Sequence, residues 1–250
     1  MIKIEKLNEK NIGLAFSCAG ENDIWGSECH TIANDFLIQH LDSGFEAYGI
    51  TFDSKPVGHS VLVPAALPFS PVKADRGMFI NCIYIAPQYR NRDLGTLLID
   101  YIENDMNERN IHVLFAQTTQ ISGNQFSFYS DKQYREIFDD GINQIYMKSF
   151  SDSDIDYKII DLKPRRDDDG NYLKINYSPL CPVLIMKYRE LVDIVKKEIP
   201  GIEIQENFIE SEKDMKENGN FGVFFDNIPL LISTRSIGES VNIIKGLTAD

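Results

Sequence analysis

Arg90, Arg92 and Gly95 fall close together in APQYRNRDLGTLLIDYIENDM, residues 86–106, between an apolar run and a helical period. Backbone N–H groups at the start of a helix are unpaired and carry partial positive charge. A strand, a tight loop and a helix in that order can therefore hold a phosphate without any special side chain. In this stretch Gly95 lets a ligand approach the backbone, and Arg90 and Arg92 add positive charge. Asp93 is the discordant residue. Its carboxylate can cap the helix, contributing about 1 kcal/mol, and then occupies the N–H groups a phosphate needs. Turned outward, it leaves them open. The sequence allows both.

Other chemistry-bearing residues are sparse. The four cysteines, Cys18, Cys29, Cys82 and Cys181, form no CxxC pair, and they do not make a disulfide framework in a chain of 250 residues. Cys29-His30 has the residue types of a zinc ligand pair, but no second pair stands at a suitable spacing, so no metal is expected. Cys181 precedes a helical period, a position that lowers a thiol pKa. The formal net charge of -13 argues against nucleic-acid binding and suits a cationic amine as partner. No apolar run reaches the roughly 18 residues that cross a bilayer. MIKIEKLNEKN has no apolar signal region, so no membrane partner and a cytoplasmic location are expected.

The elements that must position these residues follow from periodicity. MIKIEKL reads as a strand, and residues 11–41 carry a helical period. FEAYGITFD and PVGHSVLVPA read as strands joined by Asp53-Ser54-Lys55 turn chemistry, and GMFINCIYIAP as a third. The helix over 93–108 is expected to set Leu94, Leu97, Leu98, Tyr101 and Ile102 on one face. IHVLFAQTT is a buried strand, SGNQFSFYS a short helix, and YREIFDD with INQIYMKSF a closing strand pair. This mixed α/β order buries a sheet under helices. The charged stretch 151–171, with Pro164 and Gly170, marks a boundary. Beyond it YLKINYS, residues 182–198, IEIQENF, FGVFFD, PLLIST and SIGESVNIIKGL give the order strand, helix, strand, strand, strand, helix.

APQYRNRDLGTLLID resembles the cofactor loop of the GCN5-related N-acetyltransferase (GNAT) family, whose pattern is Arg or Gln, two residues, Gly, one residue, then Gly or Ala. Arg90 stands at its first position and Gly95 at its last, with Asp93 in place of the middle glycine. FINCIYIAP is similar to the family strand whose backbone binds the pantetheine arm. SGNQFSFYSDKQY supplies Asn124 and Tyr129 at the family's spacing; Gln133 and Tyr134 stand where the family has Gly-Phe. The resemblance implies acetyl-CoA as co-substrate, held by the backbone of Ile83, Tyr84 and Ile85, by Arg90, Asn91, Arg92, Asp93, Leu94, Gly95 and Thr96, and by Asn124. It implies Tyr129 as the acid that protonates the leaving thiolate. An amine of a small molecule or peptide would accept the acetyl group. Glu46 and His59, on strands toward the acceptor side, are the available candidates for a general base.

The second part, behind such a domain, resembles the YoaP-like proteins and a thioredoxin-like fold. That would make Pro229 a cis-proline facing Cys181; Ser178 and Leu184 stand where a second thiol would be needed. The expected organisation is a GNAT N-acetyltransferase domain over 1–151, a linker over 152–170, and a smaller thioredoxin-like α/β domain over 171–250. The alternatives are a catalytically degenerate protein that binds coenzyme A or a partner, or a single-thiol enzyme using Cys181. Oligomeric state is not legible.

Overall fold

Asp53 and Ser54, both at positive φ, turn β2 (Glu46–Phe52) into β3 (Lys55–Pro64) in the computed structural model of the protein. The structure describes residues 1–19, 28–119, 125–141, 143–160, 172–219, 221–226, 228–230 and 236–248. The chain folds as two units, Met1–Gly26 with Asn34–Ile160, and Ser27–Ala33 with Asp161–Asp250.

In the first unit β1 (Ile2–Lys6), β2, β3, β5 (Gly77–Ile85), β6 (Val113–Thr119), β7 (Arg135–Asp139) and β8 (Asn143–Ser149) form a sheet in the order β1-β2-β3-β5-β6-β8-β7. Its neighbours are antiparallel except β5 and β6, which run parallel. Short β4 (Val72–Ala74) pairs with β9 (Tyr157–Ile159), so the segment expected to be a linker begins with a strand paired into this unit. Residues 161–171, the rest of that stretch, lie outside the described residues.

The helices of this unit are α1 (Glu28–His40, from Asn34 onward), α2 (Leu94–Glu108) and α3 (Gln125–Asp131). α2 buries Leu94, Leu98, Ile99, Ile102 and Met106 in a core with Tyr48, Ile50, Leu62, Ile80 and Leu114. Leu97 and Tyr101, expected on that face, are instead exposed. At 3.6 residues per turn Ile99 and Met106 complete the stripe begun by Leu94 and Leu98, which turns Leu97 and Tyr101 outward.

The second unit has β10 (Tyr172–Tyr177), α4 (Pro182–Glu198), β11 (Glu203–Phe208), α5 (Glu212–Asn218), β12 (Gly222–Phe225), β13 (Ile228–Pro229) and α6 (Ile237–Leu247). Its sheet order is β11-β10-β12-β13, with β10 and β11 parallel and the other pairs antiparallel. Central β10 is buried throughout, and Leu173, Ile175, Ile185, Leu191, Val195, Phe225 and Ile244 share one core. Ser236 and Glu239 form a reciprocal capping box at the start of α6, leaving fewer unpaired N–H groups there. α5 is a helix that periodicity does not announce; Ser211 accepting from the Asp214 N–H is the local signal for it. The peptide bond before Pro229 is not cis, since no cis bond occurs among the described residues; Pro229 lies instead in a short strand paired with Phe224. No helix among the described residues is long and apolar enough to cross a membrane.

Candidate functional site

The two parallel strands of the first sheet part company. β5 pairs with β6 only from Gly77 to Ile80, yet β5 continues to Ile85 and β6 to Thr119. The parting coincides with a bulge: β3 residues Val61 and Leu62 face Cys82 and Ile80, so Asn81 is the extra residue. A bulge bends its strand and raises its twist, which swings the end of β5 away from β6. Burial follows the change, since Met78 to Ile80 are buried whereas Asn81 to Ile85 are only half-buried. From Asn81 to Ile85 the strand runs on for about 13 Å without pairing to β6. On its other edge β3 holds it closely: a Cβ at Gly58 would lie 2.5 Å from the Tyr84 carbonyl oxygen, so only glycine fits there.

The loop that follows keeps its N–H groups available. Among the described residues no acceptor engages the backbone N–H groups from Asn91 to Thr96; Leu97 is the first to donate, to the Asp93 carbonyl at 2.9 Å. Asp93 is at φ 57, ψ 10 in the left-handed region and makes no capping hydrogen bond. Of the two possibilities open in the sequence, the structure has the uncapped one. Asn91, at φ 58, is also left-handed. Asp and Asn are the non-glycine residues that tolerate this region best, so the backbone a glycine would give is retained at Asp93.

Arg90 donates from Nε to the Ile85 carbonyl at 3.0 Å, and its guanidinium lies 6.0 Å over the Tyr84 ring. Arg92 sits 5.6 Å over Tyr89. Both arginines are exposed. The Leu94 side chain is in the core, so only its backbone faces the loop. Thr96 is half-buried. At Gly95 a Cβ would meet Phe128 Cε2 at 3.6 Å and Ile85 Cγ1 at 3.8 Å, ordinary contacts. The fold itself does not require glycine there. What glycine provides is room at the point where β5, the loop and α3 converge.

Tyr129, on α3, is 3 % exposed, packed edge-on to Phe128 and Tyr134 and stacked 5.8 Å from Tyr146. Its hydroxyl has no hydrogen-bond partner among the described residues. Burial chiefly, and electrostatic coupling to the Cys82 thiol, push its pKa well above the ordinary tyrosine value, so it is a neutral donor at neutral pH. Asn124, the other residue expected here, lies outside the described residues. Gln133, in the place of a family glycine, is at φ 64, and Tyr134 after it is buried.

The two base candidates separate. Glu46 is held by Arg109 at 2.5 Å, by Lys6 at 2.9 Å and by the Tyr48 hydroxyl at 2.7 Å, in a network that includes Asp105. That network sits at the far end of α2, roughly 20 Å from the loop, and it holds the Glu46 carboxylate in ion pairs. A strand residue with two cationic partners is a structural counter-ion, and its distance was not visible in a one-dimensional pattern. His59 does reach the site. Its Nε2 is 3.6 Å from Cys82 Sγ and its Nδ1 is 2.9 Å from Ser17 Oγ. It is fully buried, and that burial lowers its pKa to about 3. Ser17 and Cys82 had no sequence signal, because they meet His59 from 42 and 23 residues away.

In the second unit Cys181 is the N-cap residue of α4. Its thiol is raised rather than lowered: burial outweighs the pull of the Leu184 and Val183 N–H groups and of Lys187. Desolvation of a thiolate costs more here than the helix end returns.

No match is found among curated proteins. Among solved structures, the chain is similar to PaiA N-acetyltransferase from Thermoplasma acidophilum in complex with coenzyme A, at 18% identity over 60% of this chain and 99% of that one, TM-score 0.45. A GNAT-family acetyltransferase from Staphylococcus aureus Mu50 shows 18% identity over 60% and 100%, TM-score 0.44. Ribosomal-protein-alanine N-acetyltransferase from Brucella melitensis shows 18% over 59% and 99%, TM-score 0.44. Residues 16–130 match the model of the acetyltransferase (GNAT) family, and the first unit is an α/β fold with a mixed sheet and flanking helices.

Proposed function

We propose that the protein transfers an acetyl group from acetyl-CoA to the amine of a small molecule or peptide. The observation that carries this reading is the parting of β5 from β6 at the Asn81 bulge, which opens a cleft between the two strands leading from the loop whose N–H groups have no acceptor among the described residues. A pyrophosphate on the N–H groups of Asn91 to Thr96 is favoured by the start of α2 and by Arg90 and Arg92. The pantetheine arm then runs along Ile85, Tyr84 and Ile83 in strand-like fashion, and its thioester ends near the bulge. Tyr129, buried and without a hydrogen-bond partner among the described residues, is placed to protonate the departing sulfur. Asn124 is assigned to coenzyme A by resemblance alone. The family match of residues 16–130, and the coenzyme A bound to the Thermoplasma relative, support the same co-substrate.

For the second unit, the parallel β10-α4-β11 start, the antiparallel β12 and β13, the order β11-β10-β12-β13 and the thiol at the start of α4 support the thioredoxin-like reading. With no CxxC pair and a raised Cys181 thiol pKa, its role is recognition of the acceptor or a partner, not dithiol exchange. A domain boundary within 152–170 and a cytoplasmic location belong to the same proposal.

Titration calorimetry with acetyl-CoA, followed by assay of coenzyme A thiol release over a panel of amines, tests it. Binding with release on at least one amine is expected. No binding sinks the proposal; tight binding with no release on any amine turns the protein into a coenzyme A-binding module.

A further inference from the structure

We propose that Cys82 is an acyl-accepting nucleophile, holding the acetyl group as a protein thioester between coenzyme A and the amine. This rests on the acetyl-CoA reading above and goes beyond it, because direct transfer to the amine needs no protein thiol. Three observations meet at one place. Cys82 is the first residue past the Asn81 bulge, where β5 has parted from β6 and where a thioester carried between the two strands ends. Its Sγ faces His59 Nε2 at 3.6 Å, and Ser17 Oγ lies 2.9 Å from His59 Nδ1. With the proton on Nδ1 donating to Ser17, Nε2 is the acceptor turned toward the thiol. Nucleophile, base and the group that orients the base are thus in sequence, the arrangement that covalent catalysis requires. Independently, Tyr129, on a different element, is buried, has a hydroxyl without a hydrogen-bond partner among the described residues, and is near enough to the Cys82 thiol for the two to couple electrostatically.

The step balances without another reactant. Cys82 Sγ attacks the thioester carbonyl carbon and its proton passes to His59 Nε2. The bond from carbon to Cys82 sulfur forms and the bond to coenzyme A sulfur breaks. The departing sulfur takes a proton from Tyr129, which recovers it from the imidazolium. In the second half the amine attacks the acetyl carbon of Cys82. The C–N bond forms, the C–S bond breaks, and the amine's proton returns to the Cys82 thiolate. His59 is buried and neutral at rest, so its imidazolium is formed only while a neighbouring sulfur carries the compensating charge.

The test uses the full chain and acetyl-CoA with no amine present. Coenzyme A thiol release is followed for one turnover, and the quenched protein is mapped by peptide mass. The expected result is a burst of about one thiol per chain with the acetyl group on Cys82, the other three cysteines serving as internal controls. In Cys82→Ala and Cys82→Ser the thioester is absent, while calorimetry shows acetyl-CoA still bound. In His59→Gln the Cys82 thioester forms at least tenfold more slowly. Acetyl-CoA bound by wild type with no burst and no acetyl on Cys82 overturns the proposal and leaves direct transfer intact. Equal labelling of Cys18, Cys29 or Cys181 also overturns it, since that is unspecific thiol exchange. Failure of wild type to bind acetyl-CoA removes the underlying reading as well, and calorimetry separates that outcome from the others.

Discussion

At the scale of single residues, Tyr129 and His59 are both buried polar groups, and their surroundings assign them different tests. Tyr129 stacks among aromatic rings but donates to nothing in the fold among the described residues. Removing such a hydroxyl should cost no folding free energy, because no protein partner is orphaned. Tyr129→Phe is therefore expected to melt at or above the wild-type temperature and to bind acetyl-CoA as tightly. Loss of the proton donor should lower turnover about 10²-fold. A normal turnover in a well-folded Tyr129→Phe protein removes the residue from the chemistry. His59 makes a prediction about pH. Unfolded, it takes up a proton below about 6.5; folded, it stays neutral down to about 3. Between those values the unfolded chain binds more protons, so the His59 contribution to stability is complete above pH 6.5 and is lost as the pH falls toward 3. The groups facing it, Ser17, Cys82, Phe16 and Tyr84, offer no charge at these pH values to oppose this. Denaturant unfolding at pH 7 and pH 5 should show a steeper loss in wild type than in His59→Gln. Equal losses would mean that His59 is protonated in the folded protein.

At the scale of elements, the loop before α2 and the turn after α3 show how a glycine pattern survives without glycine. Asp93 and Gln133 both occupy left-handed backbone, at φ 57 and φ 64. Asp93→Gly should therefore not destabilise α2: no capping bond is lost, and a backbone conformation unfavourable to side chains is relieved. Its exposed carboxylate also opposes a phosphate at the helix end by roughly 0.3–1 kcal/mol. The expected result is coenzyme A affinity two- to fivefold higher at equal low salt, with the gain shrinking as salt is raised. Gln133→Gly is the control, expected to raise stability by about 1 kcal/mol or less without changing the salt dependence of binding. Weaker binding by Asp93→Gly would show that Asp93 stiffens the bound loop. These elements also mark what the sequence could tell. β2, β3, β5, β6, α4 and α6 were legible because each has one apolar period set by the core it faces, and the loop and Tyr129 are local motifs. The stripe of α2 was misplaced because apolar residues run round more than one face. YKIIDLK reads as a short strand and contains β9, whereas its partner β4 has only three residues, too few for a period. The Asn81 bulge and the Ser17–His59–Cys82 cluster are products of strand register, which is fixed by long-range pairing.

At the scale of the whole molecule, each unit has a core of its own among the described residues, one around Leu98, Ile102 and Leu114, the other around Leu173, Leu191 and Phe225. A ligand that binds only the folded first unit stabilises that unit by mass action, about 2.7 kcal/mol at a hundredfold excess over Kd. A core lesion in the second unit has no route to that free energy if the units unfold independently. Leu191 is fully buried on α4, and Leu191→Ala should remove about 2–5 kcal/mol from the second unit through lost burial and the cavity left behind. Scanning calorimetry of the full chain is therefore expected to show two transitions. Saturating acetyl-CoA should raise one of them, and Leu191→Ala should lower the other, each leaving its neighbour within about a degree. Acetyl-CoA affinity of Leu191→Ala should match wild type at temperatures where both units are folded. A single transition moved by both the ligand and the substitution would mean that the two cores melt as one cooperative body. The second unit would then have to be counted as part of the acetyl-CoA site's own stability, not as a separate module for the acceptor or a partner.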